Sequence, residues 1–303
     1  MISDSKTKSF PVQDYDLDAT LSSGQAFRWR RLERSWIGVI GGHWVRLESS
    51  GDAIFAETAE VLSDWKWLMD YLQLELDLNS VLQRFPDDEP MRVAMGACRG
   101  LRLLRQDPWE CLAAFICSST KQIVQIQQII SLLCERYGEP VNVPPGCAPA
   151  QAFPSAAFLA GLRESDLRAC KMGFRAPYLL QSAQRVAAGE LDLAGLGQMP
   201  VDLAREQLMQ LPGVGRKIAD CVLLFAYGFQ SAFPVDVWVI KALRELYFRR
   251  RQVKLKRLQR FSAQYFGTHG GYAQQYLFHY MRTVARPKPP RRRIKAETKN
   301  VKN

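Results

Sequence analysis

The spacing of apolar residues changes once along this chain, and that change limits the folds open to it. From Gln25 to about Thr58 the period is two: Phe27 and Trp29, then Trp36, Gly38 and Ile40, then Val45 and Leu47, then Ile54. Strands place alternate residues on one face, so this stretch reads as an antiparallel meander with one packed side, and Gly41-Gly42 is suited to a hairpin turn within it. After Val61 the period becomes helical, with Trp65, Leu68 and Leu72 on one stripe, and it stays helical to the end. Two periods in series predict an α+β architecture, an antiparallel β-sheet/helix domain over residues 1–100 followed by a two-lobed all-helical region over 101–285.

Punctuation sharpens the helical part. Asp107-Pro108-Trp109-Glu110 combines an N-cap, a proline in the first turn and a glutamate three residues after the cap, which opens a helix through Cys117. A second helix is expected over 121–137, stopped by Gly138. The proline-rich stretch 140–154 is expected to be a loop between two helical lobes. Further helices are predicted over 155–161, 165–171, 176–188, 202–211, 216–227, 237–248, 254–266 and 271–284.

Charge narrows the partners. Residues 249–260 hold seven basic side chains and no acid, and residues 286–303 hold eight and one; together they contribute +14 to a total of +11, which leaves the rest at −3. Such clustering suits a polyanion such as nucleic acid, and residues 286–303 read as a basic disordered tail. The longest apolar run, Cys221 to Tyr227, is far shorter than the ~20 residues of a membrane span, and the start of the chain lacks a secretory signal, so no membrane partner is expected. The seven cysteines form no CxxC pair and the three histidines are scattered, which predicts reduced core thiols and no metal site.

The stretch that carries chemistry is Leu211-Pro212-Gly213-Val214-Gly215, between a helix ending near Leu211 and one beginning near Arg216. Two glycines around one apolar residue allow a tight hairpin in which Val214 plugs the gap between helices while Gly213 and Gly215 let a ligand approach the backbone. Amides opening the second helix can receive a phosphate oxygen. Lys217 lies in that first turn. A solvated lysine with a pKa near ~10.4 is neutral in only about one molecule in two thousand at pH 7, so a nucleophilic amine needs a helix N-terminus or burial to favour its neutral form. Lys217 is equally suited to holding a phosphate or to pairing with Asp220 on its own helix. Asp236 precedes the amphipathic run 237–243 and suits its N-cap; a carboxylate fixed by amides is expected to stay ionised and could stabilise a sugar cation.

Leu-Pro-Gly-Val-Gly-Arg-Lys-Ile-Ala-Asp-Cys at 211–221 with Pro-Val-Asp-Val at 234–237 resembles the signature of the helix-hairpin-helix (HhH-GPD) DNA glycosylases, and in detail that of the 8-oxoguanine DNA glycosylase/lyases. Three further blocks agree: Ser23-Gly24-Gln25-Ala26-Phe27-Arg28-Trp29, the run Leu103 to Ser119, and Gly271-Tyr272-Ala273-Gln274 to Phe278. The resemblance implies a cofactor-free monomer acting on duplex DNA that contains oxidised guanine, in the nucleoid or cytoplasm of a bacterium or the nucleus of a eukaryote. It makes Lys217 the nucleophile and Asp236 its assistant. Gly24 would offer its carbonyl to the protonated N7 of 8-oxoguanine, Gln274 would meet the Watson–Crick edge, and Phe278 and Cys221 would enclose the flipped ring. Gly213, Val214 and Gly215 would hold DNA, Arg175 would meet the orphaned cytosine, and Phe174 would wedge into the vacated stack.

Departures from the family pattern are Thr120-Lys121-Gln122 in place of an asparagine-rich run, Gln125 in place of an arginine, and Trp238 in place of a histidine. They point to a weaker preference for cytosine opposite the lesion. A glycosylase of other base specificity and a non-catalytic DNA-binding module remain as alternatives; a covalent adduct through Lys217 separates the second from an enzyme.

Overall fold

The computed structural model describes residues 5–284; the basic segment 286–303 lies outside the described residues. Strands β1 (Ser5–Pro11), β2 (Arg30–Leu32), β3 (Ser35–Ile40), β4 (His43–Ser50) and β5 (Ala53–Leu62) form one antiparallel sheet in the order β1-β5-β4-β3-β2. The hairpin at Gly41-Gly42 pairs Ile40 with His43. Alternation does the rest: Val45, Leu47, Ile54 and Ala56 turn to one face and pack with Trp65, Leu68 and Leu72, the last two on α2 (Lys66–Leu72).

Two parts of the N-terminal region differ from the sequence expectation. Regular pairing begins at Arg30, and residues 23–29 form an irregular loop whose buried rings imitate a strand. Strand β1 and helix α1 (Leu17–Ser22) had no expected counterpart, while α3 (Leu78–Leu82) and α4 (Glu89–Ala97) lie in the stretch expected to be helical, without expected bounds of their own. In β1 only Phe10 is buried among polar neighbours, so no apolar period marks it. Each of the three helices is instead opened by an aspartate, Asp16, Asp77 or Asp88, whose carboxylate accepts an amide in the first turn.

The helices that follow lie within about three residues of their expected bounds, except that α11 ends five residues early: α5 (Pro108–Cys117), α6 (Ile123–Tyr137), α7 (Ala156–Ala160), α8 (Glu164–Arg168), α9 (Ala176–Ala187), α10 (Val201–Met209), α11 (Arg216–Val222), α12 (Val237–Leu246), α13 (Leu255–Tyr265) and α14 (Gly270–Thr283). Asp107 accepts the Glu110 amide at 2.8 Å, which is the cap expected for α5. Helix α11 runs on as a π turn, Leu223–Tyr227, that ends at Gly228. The loop after α6 carries one short antiparallel pair, β6 (Pro140–Val141) and β7 (Ala150–Gln151). One apolar cluster unites α5, α6 and α9 to α14 with residues 78–98, and a second joins the sheet to α2.

An extended segment, Leu101–Gln106, threads between these bodies, and its amides are satisfied one by one from different elements. Arg102 donates to Thr20 Oγ1 (3.0 Å), Leu103 to the Tyr272 hydroxyl (3.2 Å) and Leu104 to Gln25 Oε1 (2.8 Å). Arg105 donates to the Tyr71 carbonyl (2.9 Å) and Gln106 to that of Phe225 (2.8 Å). Buried backbone must find partners somewhere. Here the requirement ties α1, α2, α11 with its π turn, α14 and the 23–29 loop to a single strand of chain.

Candidate active site

A cleft of about 890 Å³ opens where the 23–29 loop, α5, α6, α11, α12 and α14 converge, and Gly24, Lys217, Cys221, Asp236, Gln274 and Phe278 all line it. They come from four separate stretches of chain. Arg175, Phe174 and the 213–215 hairpin do not line this cleft.

The hairpin between α10 and α11 follows from its composition. Gly213 sits at φ +76°, and a Cβ there would lie 2.5 Å from a ring carbon of Tyr178, so both conformation and space demand glycine. Val214 is buried in the helical core. A Cβ on Gly215 would meet nothing within 4 Å, which leaves open space over the backbone where α11 begins. The amides of Gly215, Arg216 and Lys217 make no backbone hydrogen bond among the described residues, so this end retains donors for an oxyanion.

Lys217 is half-buried on the first turn of α11. Its Nζ is 3.3 Å from Ser118 Oγ, lies 5.1 Å from the centre of the Phe115 ring, and borders the Cys221 thiol one turn along. Asp220 does not take it. That carboxylate is buried and receives Arg205 Nε at 2.6 Å, with Arg216 Nε at 3.6 Å, while Lys217 Nζ turns to Ser118 instead. Burial pushes the Cys221 thiol up to about 12 in spite of the nearby ammonium, so this sulfur is a neutral wall of the cleft.

Asp236 caps α12 with one oxygen only. Oδ1 accepts the amides of Trp238 (2.9 Å) and Val239 (2.8 Å), while Oδ2 accepts no hydrogen bond from the described residues. Burial raises its pKa above the ordinary carboxylate value, and the two amides and Lys217 offset this only in part. In the direction of this shift, desolvation by the cleft walls outweighs the amide cap.

Gly24 has φ +78°, and a Cβ would come within 2.8 Å of Ile123 Cδ1 and 3.5 Å of the Phe278 ring. Gln274 is buried on α14, and its Oε1 has no hydrogen-bond partner. An orphaned buried amide oxygen costs about 1–3 kcal/mol, a cost removed when a ligand donor fills the cleft. Arg175 is 3% exposed and donates to the Ser119 carbonyl and to Thr120 Oγ1. Phe174 beside it is 53% exposed and packs edge-on to Tyr178, the ring that covers Gly213. The candidate wedge and the hairpin thus share one support.

Among the departures, Thr120, Lys121, Gln122 and Trp238 line the cleft, with Thr120 held at φ +56°. Gln125 does not; its side chain accepts the Gln122 amide at 3.1 Å and closes the start of α6. Sequence reasoning passed over Ser118, which meets Lys217, and Gln25 and Gln275, which hold the Gly24 loop. No local pattern distinguishes these from ordinary polar residues.

Residues 9–112 match the family model for the N-terminal domain of 8-oxoguanine DNA glycosylase, and residues 113–266 match that of the HhH-GPD superfamily of base excision DNA repair proteins. The chain is 30% identical over 300 residues to a probable N-glycosylase/DNA lyase of Methanothermobacter thermautotrophicus, covering 90% of this chain and 95% of that protein. It is 31% identical over 293 residues to the N-glycosylase/DNA lyase OGG1 of Arabidopsis thaliana, covering 89% and 80%. The structure of Clostridium acetobutylicum 8-oxoguanine glycosylase/lyase, in complex with duplex DNA containing cytosine opposite 8-oxoguanine, superposes with a TM-score of 0.85 at 31% identity, covering 91% of this chain and 97% of that one. With residues 9–266 matched in order by the two models and 90% of the chain covered by the first of these relatives, the chain belongs to the 8-oxoguanine DNA glycosylase family of the HhH-GPD superfamily.

Proposed function

We propose that this protein is a bifunctional DNA glycosylase/lyase that excises 8-oxoguanine from duplex DNA, with Lys217 as nucleophile. The carrying observation is that Lys217, unpaired with the aspartate of its own helix, shares one cleft with the half-committed carboxylate of Asp236. The neutral Lys217 amine attacks C1′ of the flipped nucleotide; the C1′–N9 bond breaks, its electron pair leaves with the base, and the base takes up a proton. Loss of the nitrogen's proton and opening of the sugar ring give the imine. Removal of a 2′ proton then expels the 3′ phosphate by β-elimination, and water releases Lys217. Oδ2 of Asp236 stabilises positive charge developing at the anomeric carbon. Gly24 and Gln274 supply acceptors to the purine, and Phe278 and Cys221 supply apolar walls. Borohydride added to a mixture of protein and 8-oxoguanine duplex is expected to leave a covalent adduct; no adduct with any lesion would support a passive DNA-binding module, and an adduct with another lesion alone would support a different base preference.

Opposite-base discrimination is expected to be weak. Thr120, Lys121 and Gln122 stand where the family carries an asparagine-rich run, and Arg175 is engaged with that same loop. Excision with each of the four bases opposite the lesion measures this. A cytosine bias equal to or stronger than that of a variant with the asparagine run and the arginine at 125 restored would contradict it.

Arg249, Arg250, Arg251, Lys254, Lys256, Arg257 and Arg260 are all exposed, and none forms an ion pair among the described residues. This surface adds non-specific affinity through backbone phosphates. Replacing Arg249, Arg250 and Arg251 by glutamine is expected to lower the slope of log Kd against log salt by about one for each phosphate no longer neutralised, alike for damaged and undamaged duplexes. No helix among the described residues is long and apolar enough to cross a membrane. The protein works where its substrate is, in the nucleoid of a bacterial cell or the nucleus of a eukaryotic one.

A further inference from the structure

The loop that carries Gly24 shows an uneven pattern of carbonyl partners. The Ser22 carbonyl accepts from Arg282 Nη2, the Ser23 carbonyl from Gln275 Nε2 at 3.0 Å, and the Gln25 carbonyl from Gln106 Nε2 at 2.7 Å. Of the four consecutive carbonyls 22–25, that of Gly24 alone has no donor among the described residues. The loop is also fixed from the opposite side. Buried Gln25 donates to the carbonyls of Thr20 (3.0 Å) and Arg102 (2.8 Å) and to Ser23 Oγ (3.0 Å), and accepts the Leu104 amide (2.8 Å). Ordering three neighbours with long side chains while leaving the fourth bare is how a single acceptor comes to be aimed.

We infer that Gln275, seconded by Arg282, is a positioning residue for purine recognition, which sets the Gly24 carbonyl by holding the two peptide groups before it. Helical geometry explains the division of labour on α14. Gln274, Gln275, Phe278 and Arg282 all border the cleft, but Gln275 is turned about 100° from Gln274, and Arg282 stands two turns further along that second face, from which both side chains reach the loop carbonyls. One rigid helix therefore carries both the group that meets one edge of the base and the donor that orients the acceptor for another. A slip of either is a slip of both, which keeps the two walls in register. Gln275 is 2% exposed, so its single bond to Ser23 is made without competition from bulk water.

The inference rests on the proposed excision of 8-oxoguanine, and the test separates the two. Gln275→Leu keeps the volume and removes the donor. Single-turnover excision of 8-oxoguanine is expected to fall about ten-fold, in the range of one lost hydrogen bond, while strand cleavage at a preformed abasic site, which needs Lys217 but no base contact, stays within about two-fold of the parent. An unimpaired Gln275→Leu overturns the inference, as does an equal loss on both substrates, which would mark a merely structural role. If Gln275→Leu does not fold, Arg282→Leu, whose side chain is partly exposed, carries the same comparison. Failure of the parent protein to form a borohydride adduct with 8-oxoguanine DNA would instead remove the underlying function.

Discussion

Replacement of Lys217 by glutamine is expected to abolish the borohydride-trapped adduct and to lower single-turnover excision of 8-oxoguanine by about 10³-fold or more, the scale on which loss of a covalent nucleophile acts. The stability of the fold should change little. A glutamine amide still reaches towards Ser118 Oγ and still covers Phe115, so the loss is confined to one cation–π interaction of about 0.5–2 kcal/mol. Thermal unfolding and duplex binding measured on the same variant make the comparison decisive. Were Lys217 only a phosphate holder, the substitution would weaken binding, and the parent protein would never have formed an adduct.

Asp236→Asn separates capping from charge. Asparagine caps a helix about as well as aspartate, so the hydrogen bonds to Trp238 and Val239 can persist while the negative charge beside Lys217 disappears. Single-turnover excision is expected to fall about 10²- to 10³-fold, as when one preorganised electrostatic partner of a transition state is removed. Stability should move the other way. Because burial raises the folded-state pKa of Asp236, the fold prefers its protonated form; the favourable contribution of this group is complete below the unfolded-state pKa and is lost as pH rises through the folded one. At pH 7 the neutral asparagine therefore gives an equal or higher melting temperature. Activity of the parent enzyme should decline on acidification through that raised pKa, at a higher pH than an exposed carboxylate would dictate, and the variant should lack this limb. A lower melting temperature together with an unchanged acid limb would assign Asp236 to the cap alone.

Much of the fold was legible because its signals are local. The hairpin at Gly41-Gly42, the cap at Asp107, the stop at Gly138 and the glycines around Val214 each act within a few residues, so neighbouring letters suffice to find them. The same holds for the roles suggested at Lys217 and Asp236, which begin turns recognisable from their own surroundings. Local rules also misled where burial imitates a period: the buried rings Phe27 and Trp29 alternate like a strand, yet residues 23–29 are an irregular loop pinned from several directions. Strand β1 shows the converse, since pairing with β5 makes a strand of residues whose own pattern is mute.

The meander from β3 to β5, the helices from α5 onward and the hairpin before α11 were determined by the sequence alone, because backbone sterics and solvent act on each residue and its near neighbours. The tertiary structure alone decided that Gly24, Lys217, Asp236 and Gln274 share one cleft, that Asp220 turns to Arg205 and leaves Lys217 unpaired, that Arg175 folds inward, and that Gln275 reaches Ser23 across 252 positions. Those contacts exist because buried polar groups must find partners wherever packing brings them, and packing is a property of the whole chain.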